Sequence, residues 1–243
     1  MARPGEKIRL SKIEPGDTAD ATKEKALARV EKLREKLLRW QEVFYAEHRH
    51  SLLIIFQAMD TGGKDGSVKS LFSCINPAGL HITSFKAPTA EELDHDFLWR
   101  VHRATPGKGM IGIWNRSHYE DVLVARVHKL VEKKVWKARY EQINRFEKNL
   151  HENGTTILKF MLHISKNEQC RRLQARLDDP EKRWKFNPGT LKSARCGTTI
   201  RKPTRTRSIA APPITRPGTL SRRITNGRAI SPSSKRLSAH LRK

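Results

Sequence analysis

SLLIIFQAMDTGGKDG, residues 51–66, joins a continuous apolar run to a glycine-containing turn and then to a lysine that opens a helical pattern. The apolar run has the length of a strand and no polar alternation, which is typical of a strand covered on both faces. Gly62 and Gly63 would let backbone N–H groups converge on an anion, and the helix start would add its partial positive charge. The sequence therefore predicts a phosphate-binding loop at the end of the first strand.

The turn departs from the standard phosphate-loop pattern at two positions. Ala58 stands where the first glycine is expected, and Asp65 replaces the hydroxyl residue that normally reaches Mg²⁺. Asp60 and Asp65 bracket Lys64, so we expect the two carboxylates to hold a hard, oxygen-preferring cation instead. Lys64 would supply a mobile charge to the terminal phosphates. The alternative is an ordinary strand-to-helix turn with a solvated lysine.

Segments of helical and strand spacing alternate on both sides of this stretch. Further strands are predicted at 81–85, 110–114 and 155–163, and helices at 23–49, 64–75, 89–103, 117–127, 131–152 and 166–177. Such alternation predicts right-handed βαβ units and a parallel sheet, an α/β fold. Ligands bind such sheets beyond the carboxyl ends of the strands.

A second group of polar residues follows the predicted strand at 110–114. Asn115 stands where a Walker B aspartate is expected, and Arg116 and Glu120 follow it. Arg116 would clamp a transferring phosphoryl group, while Asn115 or Glu120 would orient a metal-bound water. We also expect Ser117 to be a helix N-cap, with Glu120 completing a capping box, which makes Glu120 a weaker site candidate.

Three histidines and three tryptophans have more ordinary interpretations. We expect His95, His102 and His118 to be solvated or to cap helices rather than to bind metal, since their spacing forms no metal-binding pair. Trp99 and Trp114 are expected in the core. Trp184 falls in a lid that the family resemblance described below implies, and is expected either to pack that lid or to cover a nucleotide.

Charge is distributed unevenly along the chain. Lys and Arg total 49 against 25 Asp and Glu, a net charge of +24, and residues 192–243 hold 14 Lys/Arg and no acid. This segment also lacks Val, Phe, Trp, Tyr, Met and Gln, so we expect it to be disordered. A basic tail of this kind is typical of nucleic-acid binding, although this one has no aromatic residues to stack on bases.

Location is predicted from what the sequence lacks. The longest apolar run is far shorter than the ~20 residues that a bilayer requires, and residues 1–10 are charged where a secretory signal would be apolar. Three cysteines, Cys74, Cys170 and Cys196, have no disulfide or zinc spacing. A cytoplasmic, reduced protein with no membrane segment is expected.

Three separated motifs together resemble the family-2 polyphosphate kinases. They are FQAMDTGGKD (56–65), SFKAPTAEELDHDFLWR (84–100) and NRSHYEDVL (115–123), and KFNPG (185–189) resembles the end of that family's lid. The resemblance covers about residues 5–192. It implies a P-loop kinase-like three-layer αβα sandwich, similar to thymidylate kinase, with a helical lid at about 165–190. The FKAPT stretch and Asn115 resemble the subgroup that phosphorylates both AMP and ADP.

The resemblance also implies an activity and a set of site residues. The activity is transfer of phosphate between polyphosphate and AMP or ADP, with Mg²⁺, or Mn²⁺ as the alternative ion, in a dimer or tetramer. The catalytic residues are Asp60, Lys64 and Arg116, and the metal-side carboxylates are Asp60, Asp65 and, more weakly, Glu120. The phosphate and polyphosphate residues are Gly62, Gly63, Lys64, Lys69, Lys86, Arg100, Arg103 and Arg126. The nucleotide and lid residues are Asn115, Arg171, Arg176, Lys182 and Arg183.

The charges agree with this activity without requiring it. Polyphosphate carries about one negative charge per unit, so binding it needs a cationic track and should be sensitive to salt. Phosphoryl transfer needs positioning and charge neutralisation rather than covalent help. In a basic protein, however, Lys69 and Arg126 are equally well explained as ordinary charges on helix surfaces.

The resemblance stops after Leu191, which divides the chain into a kinase domain at 1–191 and a basic tail at 192–243. The abrupt loss of eight residue types suggests an out-of-frame reading of the gene, a hypothesis that translating the other two frames past codon 191 would test. Without the family's last strand we expect an uncovered sheet edge, lower stability and weak activity. The alternatives are an ATP-dependent P-loop kinase of another small acceptor and a catalytically impaired protein that binds nucleic acid or polyphosphate.

Overall fold

The computed structural model of the protein describes residues 13–15 and 22–185. The strands of this part of the chain are β1 (Ser51–Ala58), β2 (Leu80–Ser84), β3 (Ile111–Asn115) and β4 (Thr155–Leu162). Its α-helices are α1 (Lys23–Glu47), α2 (Lys64–Phe72), α3 (Ala90–Asp94), α4 (Trp99–Arg103), α5 (Glu120–Val127), α6 (Lys133–Glu152) and α7 (Lys166–Asp178). Short 3₁₀ turns cover Pro77–Gly79 and Pro180–Lys185.

The four strands form one parallel sheet in the order β2-β3-β1-β4. Phe56 of β1 lies opposite Asn115 of β3, and Ala58 lies opposite Leu162 of β4. The carboxyl ends of β1 and β3 are therefore neighbours, as the alternating pattern predicts.

Side chains of β1 are buried on both faces of the sheet, so helices cover both. Leu52, Ile54 and Phe56 pack with Leu37 of α1 and with α2. Leu53 and Ile55 pack with residues of α4 and α6 on the other face; that cluster includes Phe85, Val101, Ala104, Trp114, Phe146 and Leu150. The result is the predicted three-layer αβα sandwich.

The helix predicted over 89–103 is interrupted. Thr89 caps α3 in a capping box with Glu92, as expected, but His95 is extended and the Asp96 carboxylate accepts a hydrogen bond from the Leu98 N–H over 2.8 Å. This local turn competes with the helix because a short acidic side chain bonds the backbone two residues on. The chain resumes as α4 only at Trp99.

The helix predicted from Ser117 begins instead at Glu120, so the expected capping box is wrong. The Ser117 hydroxyl accepts hydrogen bonds from Gln57 Nε2 over 3.0 Å and from the Tyr119 N–H over 3.3 Å. Ser117 is fully buried. Its hydroxyl is thus used to fasten the turn after β3 to β1.

Two predictions for aromatic residues are corrected and one is confirmed. Trp114 is fully buried and donates to the Ala104 carbonyl over 3.0 Å. Trp99 is only half-buried, with the His95 ring stacked on it at 4.1 Å and the Arg103 guanidinium 4.7 Å from its centroid. His118, expected to be solvated or to cap a helix, is instead completely buried, where its ring has the carboxylate of Glu147 as partner.

Some predictions lie outside the described residues. They concern the tail at 192–243, the domain boundary at 191 and most of the lid stretch at 185–189. Within the described part, no helix is both long and apolar enough to cross a membrane.

Candidate active site

The loop after β1, residues 59–63, is a tight turn that we call the glycine loop. Its Gly62 N–H donates to the Met59 carbonyl over 2.9 Å, and Thr61 and Gly63 have left-handed backbones with φ of 61° and 92°. A Cβ on Gly62 would lie 2.5 Å from the Cβ of Ala58 and 2.7 Å from the Met59 carbonyl oxygen. Only glycine fits there, and Gly63 then starts α2 as its N-cap.

Lys64, the first residue of α2, folds back over the glycine loop. Its Nζ donates a hydrogen bond of 3.1 Å to the carbonyl oxygen of Ala58, the last residue of β1. Burial and the positive charge of Arg116 lower the pKa of Lys64, whereas Glu120 and two aspartates act in the opposite direction. The ammonium therefore lies at the strand tip, where the sequence places it, in a setting rich in charge.

Arg116 reaches the same place from the end of β3. Its backbone is left-handed, with φ 67°, and its N–H donates to the Phe56 carbonyl over 3.0 Å. Its guanidinium lies 3.6 Å from a carboxylate oxygen of Asp60, and these side chains are 42% and 31% exposed. A cation from the turn after β3 and an acid from the loop after β1 thus meet beyond the carboxyl ends of the two strands, partly open to solvent.

Two further contacts connect β3 and α5 to the elements on either side of the glycine loop, α2 and β1. Asn115 Nδ2 donates to Asp65 Oδ1 over 2.5 Å. Burial raises the pKa of Glu120, while the charges of Arg116 and Lys64 and a hydrogen bond from Gln57 lower it. The structure therefore brings Asp60, Lys64, Arg116 and Glu120 into one electrostatic group, with Asp65 beside it.

The acids of this group fit Mg²⁺ in one particular way. Among the described residues, no three His, Cys, Asp or Glu side chains are arranged to hold a metal ion by themselves. Mg²⁺ in proteins is often bound by one or two carboxylates together with water and substrate phosphates. Asp60 of the glycine loop is half-buried and Asp65 of α2 is exposed, so their carboxylate oxygens suit an ion shared with a bound phosphate chain.

Helix α7 contributes two residues that the sequence analysis does not identify. Gln169 Nε2 donates to the Asp60 carbonyl over 3.0 Å, and the Arg172 guanidinium donates to the Thr61 carbonyl over 3.0 Å. Glu168 accepts from Arg172 Nε over 2.7 Å. Hydrogen bonds from Arg171 and Arg172 outweigh desolvation and lower the pKa of Glu168 to about 2.

The sheet order contains the signal that would have found them. Strand β4 lies beside β1, so the helix after β4 must begin at the same edge as the glycine loop. Arg171 and Arg172 differ by one helical step of about 100°. The sequence alone does not show which of them faces the loop.

The other predicted cations are dispersed. Lys69 and Lys86 are exposed, whereas Arg100 is 8% exposed and pairs with Glu92 and Asp121 at 3.3 Å each. The Arg126 guanidinium lies 5.0 Å from the centroid of the Trp136 ring. The polyphosphate track remains a prediction for the exposed lysines, and the charge of Arg100 is already engaged inside the protein.

The predicted lid residues also have partners within the chain. Arg171 binds Glu168 and is 57% exposed, and Lys182 pairs with Asp179. Arg183 Nε donates to the Leu177 carbonyl over 2.8 Å, and Arg176 is half-buried. Trp184 is 78% exposed. These contacts leave their predicted role toward a nucleotide untested.

A parallel αβα sandwich with a glycine loop, a lysine and an arginine at adjoining strand tips defines an α/β protein of the phosphate-handling P-loop class. The family described as Polyphosphate kinase 2 (PPK2) matches residues 20–199. The chain belongs to that family, which confirms the resemblance drawn from its motifs.

Individual relatives agree with this assignment. An AMP/ADP-polyphosphate phosphotransferase of Meiothermus ruber is 50% identical over 195 residues, which cover 79% of this chain and 73% of the relative. An ADP-polyphosphate phosphotransferase of Rhodopseudomonas palustris is 48% identical over 169 residues, 65% of this chain and 58% of that protein. The chain thus spans less than two thirds of the second relative's length.

The fold is also that of solved structures. The crystal structure of Polyphosphate Kinase 2 from Arthrobacter aurescens TC1 superposes with a TM-score of 0.84 at 37% identity, covering 98% of this chain and 83% of that one. A putative polyphosphate kinase 2 from Pseudomonas aeruginosa gives a TM-score of 0.82 at 26% identity, covering 96% and 49%.

Proposed function

We propose that the protein is a Mg²⁺-dependent phosphotransferase that moves phosphate between inorganic polyphosphate and AMP or ADP. The proposal depends above all on one observation. Lys64, which bonds the last residue of β1, and Arg116, which follows β3, both interact electrostatically with Asp60 of the glycine loop. The names of the two relatives supply the substrates, and Asn115 and the FKAPT stretch support the AMP and ADP pairing.

The chemistry requires little from the protein beyond charge and position. An oxygen of the nucleotide's terminal phosphate attacks the end phosphorus of the polyphosphate, forming one P–O bond while the bond to the next unit breaks. The shortened chain leaves with that electron pair. Lys64 and Arg116 neutralise the negative charge of the moving group, and Asp60 orients the attacking phosphate. Mg²⁺, when bound beside Asp60 and Asp65, would neutralise further phosphate charge.

The test is an assay of the purified full chain with Mg²⁺, polyphosphate and either AMP or ADP, scored for ADP or ATP. Lys64→Ala should lower kcat by at least about 100-fold, the effect of removing one preorganised charge donor. Lys148→Ala is the matched control, because Lys148 is 66% exposed on α6 and pairs only at the surface with Glu152. Its rate should equal that of the wild type.

Other outcomes point elsewhere. A folded wild-type chain that forms no polyphosphate-dependent product rejects the proposal, and transfer from ATP to an unrelated small acceptor would favour the alternative P-loop kinase. Activity that survives EDTA would reject the metal requirement. Cytoplasmic location, a dimer or tetramer, and nucleic-acid binding by the tail stay predictions from the sequence.

A further inference from the structure

A network of four polar side chains, two buried and two partly exposed, lies on the sheet face covered by α6, outside the site described above. Glu147 of α6 is 2% exposed and His118 is fully buried. Glu147 Oε1 accepts from Tyr119 Oη over 2.7 Å and lies 3.2 Å from His118 Nε2. Glu147 Oε2 accepts from Lys159 Nζ over 2.6 Å, and Lys159 also donates to Tyr119 Oη over 3.0 Å.

The charges within this network balance. Burial by itself would raise the pKa of Glu147, but the charge of Lys159 and the hydrogen bond from His118 lower it to about 2. An ionised carboxylate only accepts hydrogen bonds, so His118 Nε2 carries its hydrogen. Glu147 is therefore a buried anion with Lys159 as its counterion and two further hydrogen-bond donors. Removing either charged partner of such a pair is strongly destabilising.

Two of the donors lie two and three residues after Arg116. His118 and Tyr119 belong to the turn between β3 and α5, whose first residue, Arg116, has the left-handed φ of 67°. A non-glycine residue in that conformation is strained and persists only where its surroundings fix it. On the sheet side the fixing contacts are the Arg116 N–H to Phe56 and the Ser117 hydroxyl to Gln57; on the α6 side they are the two bonds to Glu147.

We propose that Glu147 is a positioning residue for phosphoryl transfer, which holds the 116–119 turn so that Arg116 faces Asp60. Glu147 bonds His118, Tyr119 and Lys159 inside the protein and acts through Arg116. Lys159 keeps it ionised, and the aromatic rings around His118, those of Trp114 and Phe146, keep water from competing for its hydrogen bonds. The kinetic part of the test rests on the proposed function, and the exchange part does not.

The kinetic test compares Glu147→Gln and Tyr119→Phe with Glu141→Gln. Glu141 lies on the same helix and is 70% exposed, so its variant should match the wild type. Because small misplacements of a positioned charge cost up to about 100-fold, Glu147→Gln should lower kcat at least about 10-fold with KM for polyphosphate nearly unchanged. Tyr119→Phe removes one hydroxyl but leaves the Glu147–Lys159 pair, and serves if the first variant does not fold; its kcat should fall about 3-fold or more.

Coupling to Arg116→Ala separates positioning from a structural role. If Glu147 acts through Arg116, adding Glu147→Gln or Tyr119→Phe to Arg116→Ala should lower kcat no further. Losses that multiply in the double variants would overturn the proposal, as would a folded Glu147→Gln or Tyr119→Phe protein with the wild-type kcat.

Amide hydrogen exchange gives an answer even if the wild type shows no polyphosphate activity. In Tyr119→Phe, exchange should speed up at residues 116–120 and remain as in the wild type at 52–56 of β1, since β1 is held by its neighbouring strands. Unchanged exchange at 116–120, or acceleration spread equally over both segments, would overturn the proposal. An inactive wild type with localised acceleration would reject the proposed function and leave the positioning of the turn standing.

Discussion

The Arg172 guanidinium donates a 3.0 Å hydrogen bond to the carbonyl oxygen of Thr61, which ties α7 to the glycine loop. The same guanidinium lies 3.3 Å from the place that a Cβ on Gly63 would occupy. The Glu168 carboxylate fixes this guanidinium by accepting a hydrogen bond from Arg172 Nε. Helix α7 and the 3₁₀ turn Pro180–Lys185 that follows it both belong to the predicted lid. Arg172 therefore connects the predicted lid to the glycine loop.

We expect Arg172→Ala to lower kcat by about 10- to 100-fold, because the loop loses a fixing contact and the crevice loses a charge. Arg172→Lys should recover only part of that loss, since an ammonium cannot make the forked contacts to Glu168 and Thr61 together. Steady-state kinetics with polyphosphate and ADP check this. Arg145→Ala, at a position 76% exposed on α6, is the charge-matched control, and equal rates for the Arg172 and Arg145 variants would contradict the role.

The sequence predicts the sheet and the glycine loop well because both depend on local signals. A run of buried apolar residues, two glycines and a lysine are contiguous in the chain, and the alternation of elements then places the end of β3 beside that of β1. The pairing of Asp60 with Arg116 follows from that topology. The distance of 3.6 Å between the Arg116 guanidinium and the Asp60 carboxylate does not follow from the topology.

The errors concern side chains whose partners are distant in sequence. His118 looks like a surface histidine until Glu147, 29 residues later, is brought beside it. Ser117 resembles a helix cap but is bonded by Gln57, 60 residues earlier. The role of Arg100 in the cationic track remains a prediction, but the sequence likewise does not show that its guanidinium pairs with Glu92 and Asp121. Helical and strand periodicity gives no information about such long-range side-chain pairs, which form only when the tertiary fold brings the two residues together.

Substitution of two nearby glycines by alanine should affect different properties: activity at Gly62 and stability at Gly66. In Gly62→Ala the new methyl group would overlap Ala58 and the Met59 carbonyl, so the glycine loop must shift and activity should fall at least about 10-fold. Gly66 has nothing within 4 Å of its would-be Cβ and lies inside α2. Gly66→Ala should raise the free energy of unfolding by about 0.5–1 kcal/mol and keep the wild-type rate. Urea unfolding and the polyphosphate assay measure both, and a fully active Gly62→Ala enzyme would show that the tight turn is dispensable.

Arg100 should matter for stability more than for polyphosphate. Its guanidinium bonds the Lys86 carbonyl as well as the carboxylates of Glu92 and Asp121. Arg100→Ala would remove the cation paired with the half-buried Glu92 and would leave Asp121 with Arg139 alone, 4.0 Å away. Losing such charge-assisted hydrogen bonds typically costs about 1.5–3 kcal/mol. Urea unfolding should show this loss, while Lys137→Ala, at an exposed position of α6, should show none. The opposite pattern, a raised KM for polyphosphate with unchanged stability, would return Arg100 to the predicted track.

The Glu147 network should also make folding sensitive to acid. The pKa of Glu147 is about 2 in the folded protein against an ordinary value of 4.5, so its stabilising contribution is complete above pH 4.5 and is lost as the pH falls toward 2. Between pH 5 and pH 3 this single group should remove about 2 kcal/mol from the free energy of unfolding. Urea titrations at several pH values should therefore give Glu147→Gln a lower stability than the wild type at pH 7 but a shallower decline below pH 5. Glu141→Gln, which changes an exposed carboxylate of the same helix, should keep the wild-type slope, and an identical slope for Glu147→Gln would mean that Glu147 is not ionised against Lys159.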